Sequence, residues 1–199
     1  MPDKYQRFAE LAANETEGEH YRIRLRERAG AVAIIAPHGG GIEPGTSEIA
    51  DAIAGEDLAF YAFEGIKTSG NGELHITSTR FDEPQGSALV AGSPKVIAIH
   101  GEDSPEETVF IGGRDADLLK HLRVILTEAG FRVKTHPNPD LQGEGLSNIR
   151  NRGASGCGIQ LELSNGLRRT FFKSLGRDGR RTRTERFHRF VAVMQAAIR

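Results

Sequence analysis

Residues 31–55 read "AVAIIAPHGGGIEPGTSEIADAIAG": an apolar run, a histidine, three glycines, a glutamate and then a helical pattern. "AVAIIAP" is apolar throughout and bounded by Gly30 and Pro37, which predicts a strand buried on both faces. "TSEIADAIAG" has Thr46 or Ser47 as a helix N-cap and Gly55 as a stop. A buried strand running through a short glycine loop into a helix is a building unit of layered α/β domains.

The segments on either side extend this pattern. Residues 3–13 carry Tyr5, Phe8, Leu11 and Ala12 at helical spacing, and "YRIRLRE" alternates as a half-exposed strand over Tyr21–Glu27. "LAFYAFEG", "LHITST", "KVIAIHG", "TVFIGG", "FRVKTHP" and "GIQLELS" are strand-like and separated by Gly, Pro, Asn or Asp. "DADLLKHLRVILTEAG" places Leu118, Leu119, Leu122, Ile125 and Leu126 on one helical stripe, and "TERFHRFVAVMQAAIR" is a second amphipathic helix. Direct strand-to-strand passages through residues 58–113 argue against a purely parallel sheet. The expected fold is therefore α/β, a three-layer open mixed sheet with flanking helices, in one domain over residues 1–199. "KSLGRDGRRTRTE" is expected to be a mobile surface loop.

A net charge of -1 gives no global attraction to nucleic acid or membrane, although arginine is dense near the C-terminus. No aromatic platform or recognition-helix pattern accompanies those arginines, so no nucleic-acid partner is expected. Cys157 is the only cysteine, which excludes an intrachain disulfide, and it is expected to be a small buried hydrophobe. No signal-peptide core and no membrane-length apolar run occur. A cytoplasmic site of synthesis and a monomeric state are expected.

The chemistry concentrates at strand ends. His38 closes one apolar run and His100 closes another, "VIAIH", and each is followed by glycine. Ligands gather beyond the carboxyl ends of strands in α/β sheets, so two such histidines converge if their strands lie parallel and close. Glu43 follows His38 through three glycines that let the loop fold back, making His38, Glu43 and His100 a candidate metal set with a fourth position open for water. A phosphate-loop alternative is weaker, because "GGGIEPG" lacks a Walker ending and sets Glu43 where an anion would bind. In "GIQLELS", Gln160, Glu162 and Ser164 alternate with Ile159, Leu161 and Leu163; Glu162 is either a general base facing a site or a solvent-facing residue of an edge strand. Arg80, Arg114, Arg152 and Arg168 sit in loops and are candidate carboxylate clamps or structural ion-pair partners, and His75 is a candidate supporting residue beside the site.

The ordered set "APHGGGIEPGTSEIADAIAG", "FYAFEG", "LHITSTRFDEP", "IHG", "FIGGRD", "NIRNRG" and "GIQLELS" resembles the poly-gamma-glutamate hydrolase family, phage-type zinc peptidases. The resemblance spans nearly the whole chain and implies a core like that of zinc carboxypeptidases. It implies one Zn2+ per chain held by His38, Glu43 and His100, with Glu162 as general base. "NIRNRG" resembles the Asn–Arg pair that holds a terminal carboxylate in carboxypeptidases, here Asn151 and Arg152. The implied substrate is an anionic polypeptide, poly-gamma-glutamate, and a phage-encoded enzyme would be released by lysis. A zinc-dependent peptidoglycan amidase and a non-catalytic polyanion-binding protein are the alternatives.

Overall fold

The computed structural model describes residues 3–198, so the expectations for Met1, Pro2 and Arg199 lie outside the described residues. Seven strands form one sheet: β1 (Tyr21–Arg26), β2 (Val32–Gly40), β3 (Ala59–Gly65), β4 (Lys95–Glu102), β5 (Thr108–Gly113), β6 (Arg132–Lys134) and β7 (Ile159–Ser164). Their order is β1-β3-β2-β4-β7-β5-β6. β3, β2, β4 and β7 run parallel, while β1 pairs antiparallel with β3, and β5 antiparallel with β7. The sheet is mixed, as expected.

Among the described residues six helices flank it: α1 (Phe8–Asn14), α2 (Thr46–Ala54), α3 (Pro84–Ala91), α4 (Ala116–Glu128), α5 (Asn165–Phe171) and α6 (Glu185–Ile198). The two-residue side-chain period of a strand splits the core into two layers. Ile34, Phe60, Ile97, Ile99, Leu161 and Leu163 pack beneath α2, α4, α5 and α6. Ile35, Tyr61, Phe63, Val96 and Ala98 pack on the opposite face with Leu11 of α1 and Val90 of α3.

Four expectations change. "LHITST" is not a strand: Asn71–Leu74 is a 3-10 turn and the following residues are irregular. Leu74 and Ile76 still bury at alternate positions, which is why the segment mimics strand periodicity. The residue before α2 is Gly45, in the left-handed region, and Thr46 instead donates its hydroxyl to the Glu43 carbonyl at 2.8 Å. The chain between β3 and β4 carries α3, so that passage is a helical crossover between strands of one direction. Cys157 is half-buried rather than fully enclosed. Among the described residues no helix is long and apolar enough to cross a membrane.

Candidate metal centre and its cleft

The parallel strands β2, β4 and β7 end side by side, and their ends carry the chemistry. Register between β2 and β3 shifts between Ala36 and Gly39, where Pro37 has no amide to give the ladder. This irregularity occurs at His38. In β4 and β7 the Cα atoms of His100 and Glu162 are direct cross-strand partners. Even-numbered residues of both strands face the same side, so Gln160 and Glu162 stand beside His100 over the cleft.

His38 and His100 are almost fully buried, yet their Nδ1 atoms face each other at 3.2 Å. Glu43 Oε1 lies 3.0 Å from His38 Nδ1, and Glu43 Oε2 lies 3.7 Å from His100 Nδ1. Tetrahedral zinc with bonds of about 2.0–2.1 Å separates its ligand atoms by roughly 3.3 Å, so the three donors already stand at the edges of such a site. The Nε2–H of His38 donates to the Ile76 carbonyl at 2.9 Å, and His100 Nε2 lies 3.5 Å from Ser78 Oγ. The carbonyl partner on Nε2 leaves Nδ1 of a neutral His38 as the inward lone pair, the usual outer support of a metal-binding histidine. The donor set therefore fits a zinc-type ion.

His75 completes the cluster differently from His100. Its ring lies 4.0 Å from the ring of His38 between centroids, and the donor atoms of His38, Glu43 and His75 lie within 4.8 Å of one another, a possible metal-holding group. His100 Nδ1 lies 3.2 Å from His38 Nδ1 and 3.7 Å from Glu43 Oε2, so both His75 and His100 stand close enough to His38 and Glu43 to supply a third donor. His75 Nδ1 is 2.7 Å from Asp3, whose carboxylate also accepts from the Thr77 amide and Arg80. Repulsion from a protonated His38, and then burial, push His75 down to about 4, and the Nδ1–H of the neutral ring donates to Asp3 at 2.7 Å.

Electrostatics in the cleft are strongly biased. Burial disfavours an ionised Glu43, but the two histidines outweigh it and hold its carboxyl well below the ordinary range. Burial, and then the nearby Glu43 charge, push Glu162 well above the ordinary carboxyl value. Burial lowers His100. Glu162 Oε1 accepts from Gln160 Nε2 at 2.6 Å, and Gln160 in turn accepts from the fully buried Arg150. The buried Gln160 and Arg150 thus hold one oxygen of the Glu162 carboxyl in place beside His100.

The cleft holds about 580 Å3 and is walled by His38, Glu43, His75, His100 and Glu162 together with Glu102, Asp103 and Asp140. None of the expected clamp residues lines it. Arg80 pairs with Asp3 at 2.8 Å, and Arg114 donates to the Glu144 carbonyl at 3.3 Å. Asn151 ties the Gly143 and Gly145 carbonyls to the Gly158 amide. Arg152 donates to the Phe81 carbonyl at 2.7 Å and the Thr79 carbonyl at 2.9 Å. Arg168 is buried and donates to the carbonyls of Leu163, Pro44 and Glu102, binding β7, the loop after Glu43 and the end of β4 together. Sequence reasoning missed Asp3, Gln160 and Arg150. Only Gln160 had a signal, its alternation with Glu162 on one strand face.

Histidines and a loop glutamate gathered at parallel strand ends define an α/β domain with a candidate metal centre of the hydrolytic kind. Comparison with known proteins makes this specific. A family model for poly-gamma-glutamate hydrolase matches residues 5–193, so the chain belongs to that family and is a hydrolase. It is 39% identical to the SPbeta prophage-derived protein YoqZ of Bacillus subtilis (strain 168), over 98% of this chain and 72% of YoqZ. Its structure resembles that of a bacteriophage poly-gamma-glutamate hydrolase with a TM-score of 0.95 at 30% identity, covering 98% of this chain and 96% of that one. It also resembles zinc-free YndL with a TM-score of 0.92 at 37% identity, covering 99% and 98% of the two chains. An N-formylglutamate amidohydrolase from Ralstonia eutropha shares the fold alone, with a TM-score of 0.54 at 13% identity.

Proposed function

We propose that this protein is a zinc-dependent hydrolase of the gamma-glutamyl amide bonds of poly-gamma-glutamate. The observation that carries the zinc assignment is the inward 3.2 Å approach of the His38 and His100 Nδ1 atoms, with Glu43 beside both. Two buried imidazole lone pairs facing each other repel unless a proton or a cation stands between them. His38, Glu43 and His100 would hold the ion. When bound there, it supplies a Lewis acid that polarises the scissile carbonyl and acidifies water.

Glu162 then has two duties, as base and as acid. It takes a proton from the attacking water and returns it to the departing amine, so that one water is consumed and one amide becomes a carboxylate and an amine. Gln160 holds one carboxylate oxygen of Glu162 and so fixes the orientation of the other. Family membership and the likeness to a bacteriophage poly-gamma-glutamate hydrolase support the choice of polymer.

The test is metal analysis combined with cleavage of poly-gamma-glutamate by wild type and Glu162→Gln. The account expects one zinc per chain in both proteins, with kcat reduced about 10²- to 10⁴-fold in the variant. An active variant removes Glu162 from the base role, and faster turnover of muropeptides than of poly-gamma-glutamate favours the amidase alternative.

A further inference from the structure

The His–Glu–His cleft raises a difficulty for a polyanionic substrate: its charged wall residues include Glu102, Asp103 and Asp140, and among the described residues neither lysine nor arginine lines it. A second cavity, of about 800 Å3, lies on the other side of the same metal loop. His38 and Glu43 face the cleft, whereas Gly40, between them in sequence, faces this second space. The loop is pinned there because the Gly41 amide donates to the Gly65 carbonyl at 2.8 Å. The cavity wall carries five arginines, Arg22, Arg177, Arg180, Arg181 and Arg183, against Glu19, Glu48 and Glu64.

The bonded pairs separate structural cations from available ones. Arg22 is spent on Glu64, and the buried Arg180 on Glu48 at 2.6 Å and on the Leu175 carbonyl. Arg177 donates only to backbone carbonyls, those of Ile66 and Lys67, which leaves its charge unneutralised. Arg181 is 78% exposed, and its one acidic neighbour, the equally open Asp178, is 3.9 Å away. Arg183 lies over the Phe187 ring at 4.9 Å. Three such guanidiniums in one concavity repel one another and focus a positive potential. The segment bearing them, expected to be a mobile loop, is anchored by the Arg180–Glu48 pair and by the Lys173 amide donating to the Thr182 carbonyl. Its cations are therefore held in advance of any ligand.

We propose that this arginine-lined cavity binds side carboxylates of the polymeric substrate, on a stretch of chain away from the bond cut in the acidic cleft. The proposal rests on the poly-gamma-glutamate assignment above. Each unit of that polymer bears one free carboxylate, and arginine pairs with carboxylates through two parallel hydrogen bonds. Holding a flanking stretch makes engagement of the cleft intramolecular, so long chains gain over short ones. The cleft then needs no arginine clamp of its own.

The test compares the wild-type chain with the double variant Arg177→Glu/Arg181→Glu, in which both exchanged residues are exposed. Equal thermal midpoints establish that the variant folds; if they differ, Arg181→Gln replaces it in the same assays. Binding of labelled poly-gamma-glutamate is followed by fluorescence anisotropy in a Glu162→Gln background, and kcat/KM is measured on long polymer and on a gamma-glutamyl trimer. The expected result is binding weakened about tenfold or more, with the long-to-trimer ratio of kcat/KM falling by a similar factor. Unchanged binding, or equal losses on polymer and trimer, overturns the cavity assignment. Arginine-dependent binding without any cleavage by the wild type leaves the cavity standing and removes the hydrolase assignment. Cleavage that ignores the arginines does the reverse.

Discussion

His38 and His100 are each followed by a glycine, and the packing gives the reason. A Cβ on Gly101 would meet the Arg168 guanidinium carbon at 2.7 Å, and one on Gly39 would meet Ser47 Cβ at 2.9 Å. The His–Gly repeat was legible in the sequence as a pattern, but Arg168, which crowds Gly101, is far away along the chain. Asp3 shows the limit more sharply: nothing local marks it, yet it holds His75, Thr77 and Arg80 from 72 or more residues away. Burial opposes its charge, but the Thr77 amide, His75 and Arg80 outweigh that and hold it at about 2. An unfolded aspartate titrates near about 3.9, so the stabilisation is present above that pH and is lost as pH falls toward 2. Asp3→Asn should therefore be less stable than wild type at pH 6, with the two urea midpoints converging between pH 4 and pH 2. A gap that stays constant over that range would show that the carboxylate charge contributes nothing.

At the scale of elements, the long amphipathic helices α4 and α6 and the apolar strands β2, β3, β4 and β7 were legible because their periodicity reports a single buried environment. The short helices α3 and α5 were not. α3 has little apolar asymmetry, and its start is set by the Glu83 carboxylate accepting from the Gln85 and Gly86 amides. α5 opens with glycine at its second position and is capped by Ser164, which looks like the end of a strand. Arg168, carried on α5, was expected to touch substrate, but it braces three carbonyls at the strand ends. Removing it leaves those buried acceptors without their donor. Arg168→Met should lose about 2–5 kcal/mol in urea unfolding and weaken zinc retention, because Pro44 adjoins Glu43. Full stability together with a raised KM would instead restore a direct substrate role.

Across the whole molecule, parallel strand ends and the loop after β2 position the candidate metal donors, and the stretch from His38 to Glu43 contributes Gly40 to one cavity and His38 and Glu43 to the other. The sheet class could be anticipated from strand and helix alternation. The separation of acidic cleft from basic cavity could not, because it depends on how residues 177–183 fold back onto β1 and β3. The fold also links stability to the ion: any ligand that binds only the native state raises the thermal midpoint in proportion to the logarithm of its concentration over Kd. We propose the His38–Glu43–His100 cluster as a zinc centre that cuts poly-gamma-glutamate. The direct measurement is the size of the polymer, by gel filtration, after incubation with native, chelated and zinc-restored protein. The account predicts cleavage by the native protein, none after chelation, recovery with about one zinc per chain, and no recovery in His100→Ala. Undiminished cleavage by metal-free protein would contradict it.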